Sequence, residues 1–480
     1  MRRGFAAVIC LALSSCGGGG ESPPASAPVT LAPAPVLTEA SAAASSVLDA
    51  ETLAVEAGAT RVTFDASDLT SRATPYIVGA GTHFGLDINR GYDTQKSAAA
   101  ITENSVTSFR DDILWGAFTP SGDLSRGRIP ERIADFMGAT TARPLLILNA
   151  GHPNVPGGNP PVTEQGRAAF AAFAGRVASA TTGREAMYEI WNEWNLTAQP
   201  SDNRLTTAGE AGDHRASIYY APLAEMAAQA IKAEQPSARV LVGASADDPN
   251  WNWTTDIVAR GALKQADGLS VHLYNHCESP ARRTPFEMIE RLERLRAAVT
   301  PLNGGRSPTI YVTEWGWPTG TGPCSVDPAA VRHSVPQFLL YTAALPWLGG
   351  SWFYELKDSG SDANNIQDNF GLNDFNYRPK SGQCGFAEAA RLIATAKAMD
   401  VQEIGDLILI RMHTTKGLAI AAWSKNSSQT GRITLGGTAP FTARTMCSSD
   451  SAANGRQVTF GQMPVIIDVP GLSRLAANVR

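Results

Sequence analysis

Two glutamates stand out by where they fall. Glu193 lies in Tyr188-Glu189-Ile190-Trp191-Asn192-Glu193-Trp194-Asn195, and Glu314 lies in Tyr311-Val312-Thr313-Glu314-Trp315-Gly316-Trp317-Pro318-Thr319. Each closes a short apolar run. A single Glu in such a place is more often a salt-bridge partner than a reactive group. Two of them, delivered by separate segments, can share work on one bond. Cleavage of a glycosidic bond asks for such a pair, one carboxyl kept protonated to assist the leaving oxygen and one ionised to attack or support the anomeric carbon. Other polar groups end neighbouring runs: His83, Arg110, His152, Asn192, His272 and Tyr274. Seven of the ten tryptophans (Trp115, Trp194, Trp251, Trp253, Trp315, Trp317 and Trp352) also fall at or just past such ends. An indole face stacks on the C–H face of a pyranose while its N–H stays free for a hydroxyl, so this placement is read as sugar binding. No Cys/His spacing of a zinc site and no other metal motif is visible, so neither a metal nor a cofactor is expected.

The elements that position these residues repeat. Short apolar runs at 76–81, 106–110, 144–149, 187–191, 239–243, 268–273, 309–313 and 350–354 are each followed by a loop and usually by a helical pattern, as at 164–178, 217–234 and 285–299. Eight such units predict an α/β fold, a (β/α)8 TIM barrel over residues 61–398. A doubly wound open sheet fits less well, because no GxGxxG follows the first run. A barrel gathers the C-terminal ends of its strands on one active face, which is where both glutamates fall. Glu189 shares a strand with Glu193 but lies deeper and is read as structural. Residues 399–480 change character: strand-like runs at 407–412, 417–423, 431–435 and 464–469 predict a small C-terminal β-sandwich, to which 61–65 can add a strand.

The Trp-Asn-Glu-Trp-Asn and Thr-Glu-Trp-Gly-Trp-Pro-Thr segments resemble those of clan A glycoside hydrolases, family 39 and its exopolysaccharide-cleaving relatives in particular. The resemblance covers the barrel and extends to the sandwich. It implies that Glu193 is the acid/base, that Glu314 is the nucleophile, and that Asn192 binds the sugar 2-hydroxyl. It also implies that Arg110 hydrogen-bonds the nucleophile and that Tyr274, beside His272, orients it. The alternative for Arg110 is a local ion pair with Asp111 or Asp112. His83 and His152 complete a ring of substrate-binding groups, with Trp115 and Trp317 beside them, and Trp352 is expected to floor the subsite where the bond breaks. Trp251 and Trp253 are assigned to a more distant subsite. Trp315 stands where relatives often carry another residue.

The N-terminus reads as an exported lipoprotein. Met1-Arg2-Arg3 supplies a charged start, residues 5–13 an apolar run too short to span a bilayer, and Leu13-Ser14-Ser15-Cys16 a lipobox whose cysteine would carry lipid. Residues 17–60 read as a Gly/Pro/Ser/Ala-rich linker. The chain would thus sit in the cell envelope, held to the membrane by its lipid. Cys277, Cys324, Cys384 and Cys447 remain for the folded part and allow three pairings; a Cys277–Cys324 bridge would brace the loop after Glu314. The net charge of −5 and the lack of any Lys/Arg-rich block argue against a nucleic-acid partner. The expected partner is a polysaccharide or oligosaccharide, extracellular or capsular, hydrolysed with retention. A transglycosidase on the same two glutamates, and a non-catalytic polysaccharide-binding lipoprotein, are the rival readings.

Overall fold

In a computed structural model, the described residues are 53–86, 90–196, 211–246 and 248–480. The leader, Cys16 and the linker as far as residue 52 lie outside them.

Strand β1 (Thr60–Asp65) precedes eight parallel strands: β2 (Ile77–Gly81), β3 (Ser108–Leu114), β4 (Arg143–Asn149), β5 (Met187–Ile190), β6 (Arg239–Ser245), β7 (Gly268–Leu273), β8 (Ile310–Trp315) and β9 (Leu348–Phe353). These eight close into a barrel in chain order. Several of the helices between them begin on recognisable caps. Thr163 accepts from the Gly166 N–H, and Thr284 and Asp327 each precede a proline in the first turn. Such caps satisfy backbone donors that have no partner inside the helix. One strand is longer than its sequence indicated. The run expected to stop at Arg110 continues to Leu114, so Asp111 and Asp112 are strand residues. A buried strand tolerates the Asp111 carboxylate because the Thr82 hydroxyl and the Phe84 and Gly85 N–H groups bond to it.

The lower lumen is filled by Leu145, Met187, Leu241, Tyr311 and Trp352. The large rings fit because small residues face them. A Cβ on Gly79 would lie 2.1 Å from Trp352 Cδ1, and one on Gly349 would lie 2.2 Å from Tyr311 Cε1. The Trp352 indole N–H donates to Ser108 Oγ at 3.1 Å. Trp352 therefore plugs the barrel floor, below the reach of any ligand in the mouth.

Nine more strands follow: β10 (Ala396–Ile404), β11 (Leu407–Thr414), β12 (Gly417–Ser424), β13 (Gly431–Leu435), β14 (Thr442–Thr445), β15 (Ala453–Asn454), β16 (Gln457–Phe460), β17 (Val465–Pro470) and β18 (Arg474–Val479). They form two five-stranded sheets, ordered β10-β11-β12-β17-β14 and β1-β18-β13-β16-β15. The segment at the start of the barrel region thus joins the sandwich through β18. The sequence of β11 and β12 is apolar on both faces for a reason. Leu407, Leu409, Leu418 and Ile420 enter the sandwich core, while Ile408, Ile410, Met412 and Trp423 point the other way and join the core around the barrel. Alternating residues bury against two different layers. Two disulfides form, Cys277–Cys324 between the loops after β7 and β8, and Cys384–Cys447 between the last barrel helix and the sandwich.

Gly79→Ala is expected to lower unfolding stability by about 1–3 kcal/mol, since the new methyl must displace a buried indole in a packed lumen. Denaturant unfolding checks this, and an unchanged midpoint would show that the floor has slack.

Candidate active site

Above the floor, side chains from four strands and the loops after them meet around Arg110. Its Nε donates to Glu189 Oε2 at 2.7 Å, Nη1 to Glu314 Oε1 at 2.6 Å and Nη2 to Asn192 Oδ1 at 2.8 Å. Nη2 also lies 3.2 Å from His272 Nε2. His272 Nδ1 is 2.8 Å from Glu193 Oε1, and the Tyr274 hydroxyl donates to Glu314 Oε2 at 2.7 Å. Carboxylate oxygens of Glu193 and Glu314 lie within 4.8 Å of each other. Arg110 is thus not tied to Asp111 or Asp112. Glu189, fully buried beneath, is its second anionic partner.

Backbone geometry aims the carboxyls. After β5 ends at Ile190, Trp191 and Glu193 adopt φ of 66° and 49°. Bulky residues in the left-handed region cost energy and recur where function needs an unusual turn. The Glu193 N–H is held by Ala244 O of β6 at 3.0 Å, which keeps that turn in place. On β8 the register shifts between Val312 and Trp315, so a strand whose Tyr311 faces the lumen turns Glu314 inward as well and sends Trp315 outward against Phe338 of a barrel helix.

Electrostatics divide the two glutamates. Burial pushes the Glu314 carboxyl up, but His272 and Arg110, with hydrogen bonds from Tyr274 and Arg110, outweigh it and hold it below the ordinary value. For His272, burial lowers the imidazole and the neighbouring carboxylates, Glu314 first, raise it, for a net rise. The contact with Arg110 Nη2 nevertheless needs a bare Nε2, because a guanidinium never yields its proton. The neutral tautomer with its proton on Nδ1, donating to Glu193, satisfies every partner. In that tautomer Arg110 and Tyr274 keep Glu314 charged, and His272 adds its charge to theirs whenever it takes up a second proton. Glu193, His272 and Glu314 are also close enough to hold a metal ion. Arg110 already places a cation at that point, and a divalent ion would have to sit against it.

The cleft has a volume of about 890 Å³, and Glu193, Glu314, Asn192, Arg110, His272, Tyr274 and His83 all line it. Four expected ligand-binding residues do not. His152 is buried with Nε2 2.7 Å from Thr119 O, pinning the loop after β3. Trp115 stacks on Phe173 in the layer between strands and helices. Trp317 donates its N–H to Asn275 Oδ1, and Trp352 is the floor. Trp251 and Trp253 are equally buried, Trp251 donating to Arg291 O. The error has one physical source. Position along a strand places a residue at the mouth, but the pleat and the following turn decide whether the side chain faces lumen, helices or floor. The aromatic lining comes instead from Tyr354 and Phe370, joined by Asp112, Asn149 and Arg90, none of which the sequence motifs marked.

Tyr274→Phe removes a hydrogen bond that favours ionised Glu314, so the pKa of Glu314 is expected to rise from its lowered position toward the ordinary carboxylate range. A carboxyl carbon-13 titration, assigned with Glu314→Gln, reads the shift; a titration that stays in place would show that Arg110 alone governs the charge.

Neither a protein-family profile nor a curated protein sequence matches the chain. Solved structures do. A family 39 glycoside hydrolase from the gut symbiont Bacteroides cellulosilyticus superposes with a TM-score of 0.61 at 19% identity, over 82% of this chain and 81% of that one. An α-L-arabinofuranosidase from Thermotoga maritima gives 0.53 at 11% identity over 88% and 100%. A GH30 endoxylanase from Clostridium papyrosolvens gives 0.51 at 9% identity over 86% and 98%. The chain has the fold of clan A glycoside hydrolases, a (β/α)8 barrel with a β-sandwich.

Proposed function

We propose that the protein is a retaining glycoside hydrolase. The observation that carries this reading is the pairing of Glu193 and Glu314 across one cleft with carboxylate oxygens within 4.8 Å. Retaining enzymes hold their two carboxyls about 5–5.5 Å apart, whereas inverting enzymes leave roughly 6.5–9.5 Å for a water. In the first step Glu193 gives its proton to the glycosidic oxygen, the bond to the anomeric carbon breaks, and Glu314 bonds to that carbon. In the second, water loses a proton to Glu193, attacks the same carbon and frees Glu314. The His272 Nδ1–H holds one Glu193 oxygen and leaves the other for the proton in transit. Asn192 spends its carbonyl on Arg110, so its amide nitrogen is available to a sugar hydroxyl.

Glu314→Ala should abolish turnover on every glycoside. Glu193→Ala should lose about 10²–10⁴-fold on ordinary substrates but far less on dinitrophenyl glycosides, whose leaving group needs no proton. Azide should restore that variant and yield a glycosyl azide. Equal losses beyond rescue in both variants would remove the assigned roles. Turnover on no glycoside by the unaltered protein would favour a polysaccharide-binding lipoprotein, and products formed only with an added sugar acceptor would favour a transglycosidase. The pH profile follows from Glu314. Activity needs it ionised, so the acid limb falls where pH drops through its lowered pKa. Arg110→Met removes the cation but not the burial, which raises that pKa and should move the acid limb of kcat/KM to higher pH.

The substrate reading rests on the leader. With Cys16 lipidated, the enzyme would work on an extracellular or capsular polysaccharide at the cell envelope. Among the described residues no helix is long and apolar enough to cross a membrane. Mass spectrometry of the membrane fraction should find a diacylglyceryl cysteine at Cys16; a mature protein starting elsewhere without lipid would overturn the anchor.

A further inference from the structure

The wall of the cleft across from Glu314 carries charged and polar groups that the hydrolytic steps do not use. Asp112 follows Arg110 on the same face of β3, one pleat nearer the mouth. Its side chain lines the cleft, yet the residue is only 5% exposed. Among the described residues it has no ion pair within 4 Å; its one side-chain partner is Asn149 of β4, whose Nδ2 donates to Oδ1 at 3.1 Å. That leaves Oδ2. His83, in the loop after β2, also lines the cleft. It lies 3.1 Å from Glu355 Oε2 without hydrogen-bond alignment, and neither ring nitrogen has a hydrogen-bond partner. Both His83 nitrogens are sealed from the cleft, so the group left for a ligand to complete is the Asp112 carboxylate, which is costly to hold at a cleft wall without a partner. Burial, with the neighbouring Asp111 charge, pushes the Asp112 carboxyl up to about 6 against the pull of Arg110.

The barrel order sets the distance across. β3 and β4 stand four strands away from β7 and β8, which carry His272 and Glu314, so the two walls face each other over the lumen. A pyranose ring with its anomeric carbon at Glu314 presents the carbons on its far side, C3 and C4, to the opposite wall.

We infer that Asp112, oriented by Asn149, forms the glycone-recognition wall, accepting two vicinal hydroxyls of a neutral sugar through its free carboxylate oxygen. This rests on the glycosidase reading. The selective feature is the hydroxyl pair, because a site built to hydrogen-bond a hydroxyl is left with unpaired buried groups when the hydroxyl is absent.

The test uses the 4-nitrophenyl glycoside that the full-length protein hydrolyses best, together with its 3-deoxy and 4-deoxy analogues. Asp112→Ala should lower kcat/KM on the parent by on the order of 10–100-fold, while changing one of the deoxy analogues less than about threefold, since that analogue has already lost the contact. Asp112→Asn, which keeps the volume and one acceptor, should fall between, and guards against a folding defect. Equal losses on parent and both analogues, or no loss on the parent, would overturn the inference. If the unaltered protein turns over no glycoside, the hydrolase reading fails separately, and a binding arm decides this one. In the Glu314→Gln protein, saturation-transfer NMR with methyl glycosides of neutral pyranoses should show binding that Asp112→Ala removes. Binding that persists in the double variant, or no binding in the single one, would sink it.

Discussion

The buried guanidinium of Arg110 is the interaction on which the rest of the site depends. It binds carboxylates from β5 and β8, the Asn192 amide and the His272 ring, so a single side chain ties four positions around the barrel. A cation taken out of water is unfavourable by several kcal/mol unless its donors are all met. Here Glu189 and Glu314 together with Asn192 meet them, and the two anions raise the guanidinium's affinity for its proton despite burial. The planar fork suits this role; a lysine would supply a point charge and lose the simultaneous bonds. Because one of the anions is Glu314, the scaffold's central ion pair and the charge state of the proposed nucleophile are the same physical fact.

Two carboxylates share that one cation, and the asymmetry between them follows from depth. Glu189 is sealed below and has no route to a ligand. Glu314 keeps 11% of its side chain exposed and gains a second donor in Tyr274, so it can stay charged while facing the cleft. Glu193 is more open, 28% exposed, and sees Arg110 only through His272. The imidazole therefore separates the two proposed roles. It passes a hydrogen bond to Glu193 while denying it direct contact with the cation that holds Glu314 ionised.

The mouth is braced from outside. Cys277–Cys324 ties the loops after β7 and β8, and Trp317 donates to Asn275 beside it, so the segments flanking Tyr274 and Glu314 are joined twice. At the other end of the chain the sandwich covers barrel helices with the outward faces of β11 and β12 and is pinned by Cys384–Cys447. The tryptophans belong to this bracing. Seven large rings placed near strand ends fill the space between strands, helices and floor, where burial of each contributes more than exposure at a wet cleft would.

The sequence by itself determined the periodic alternation of eight apolar runs with helices, and hence the barrel, because each run must bury both faces while each helix buries one. It also determined that Glu193 and Glu314 would share a face with Arg110, Asn192, His272 and Tyr274, since strand ends of a closed barrel converge whatever the loops do. Only the tertiary structure decided what each side chain at those ends would face. The apolar run ends at Arg110, with Asp111 and Asp112 as candidate ion-pair partners, yet Thr82 and the N–H groups of Phe84 and Gly85 let the strand run on through both. Trp352 read as a sugar platform, yet the absence of a side chain at Gly79 opened the floor beneath it. His152 read as a ligand-binding group, yet the Thr119 carbonyl took its ring nitrogen. Cys277 could have bridged any of three partners until folding brought the loops after β7 and β8 together. Each of these turns on a contact between residues far apart in the chain, and local spacing carries no record of such contacts.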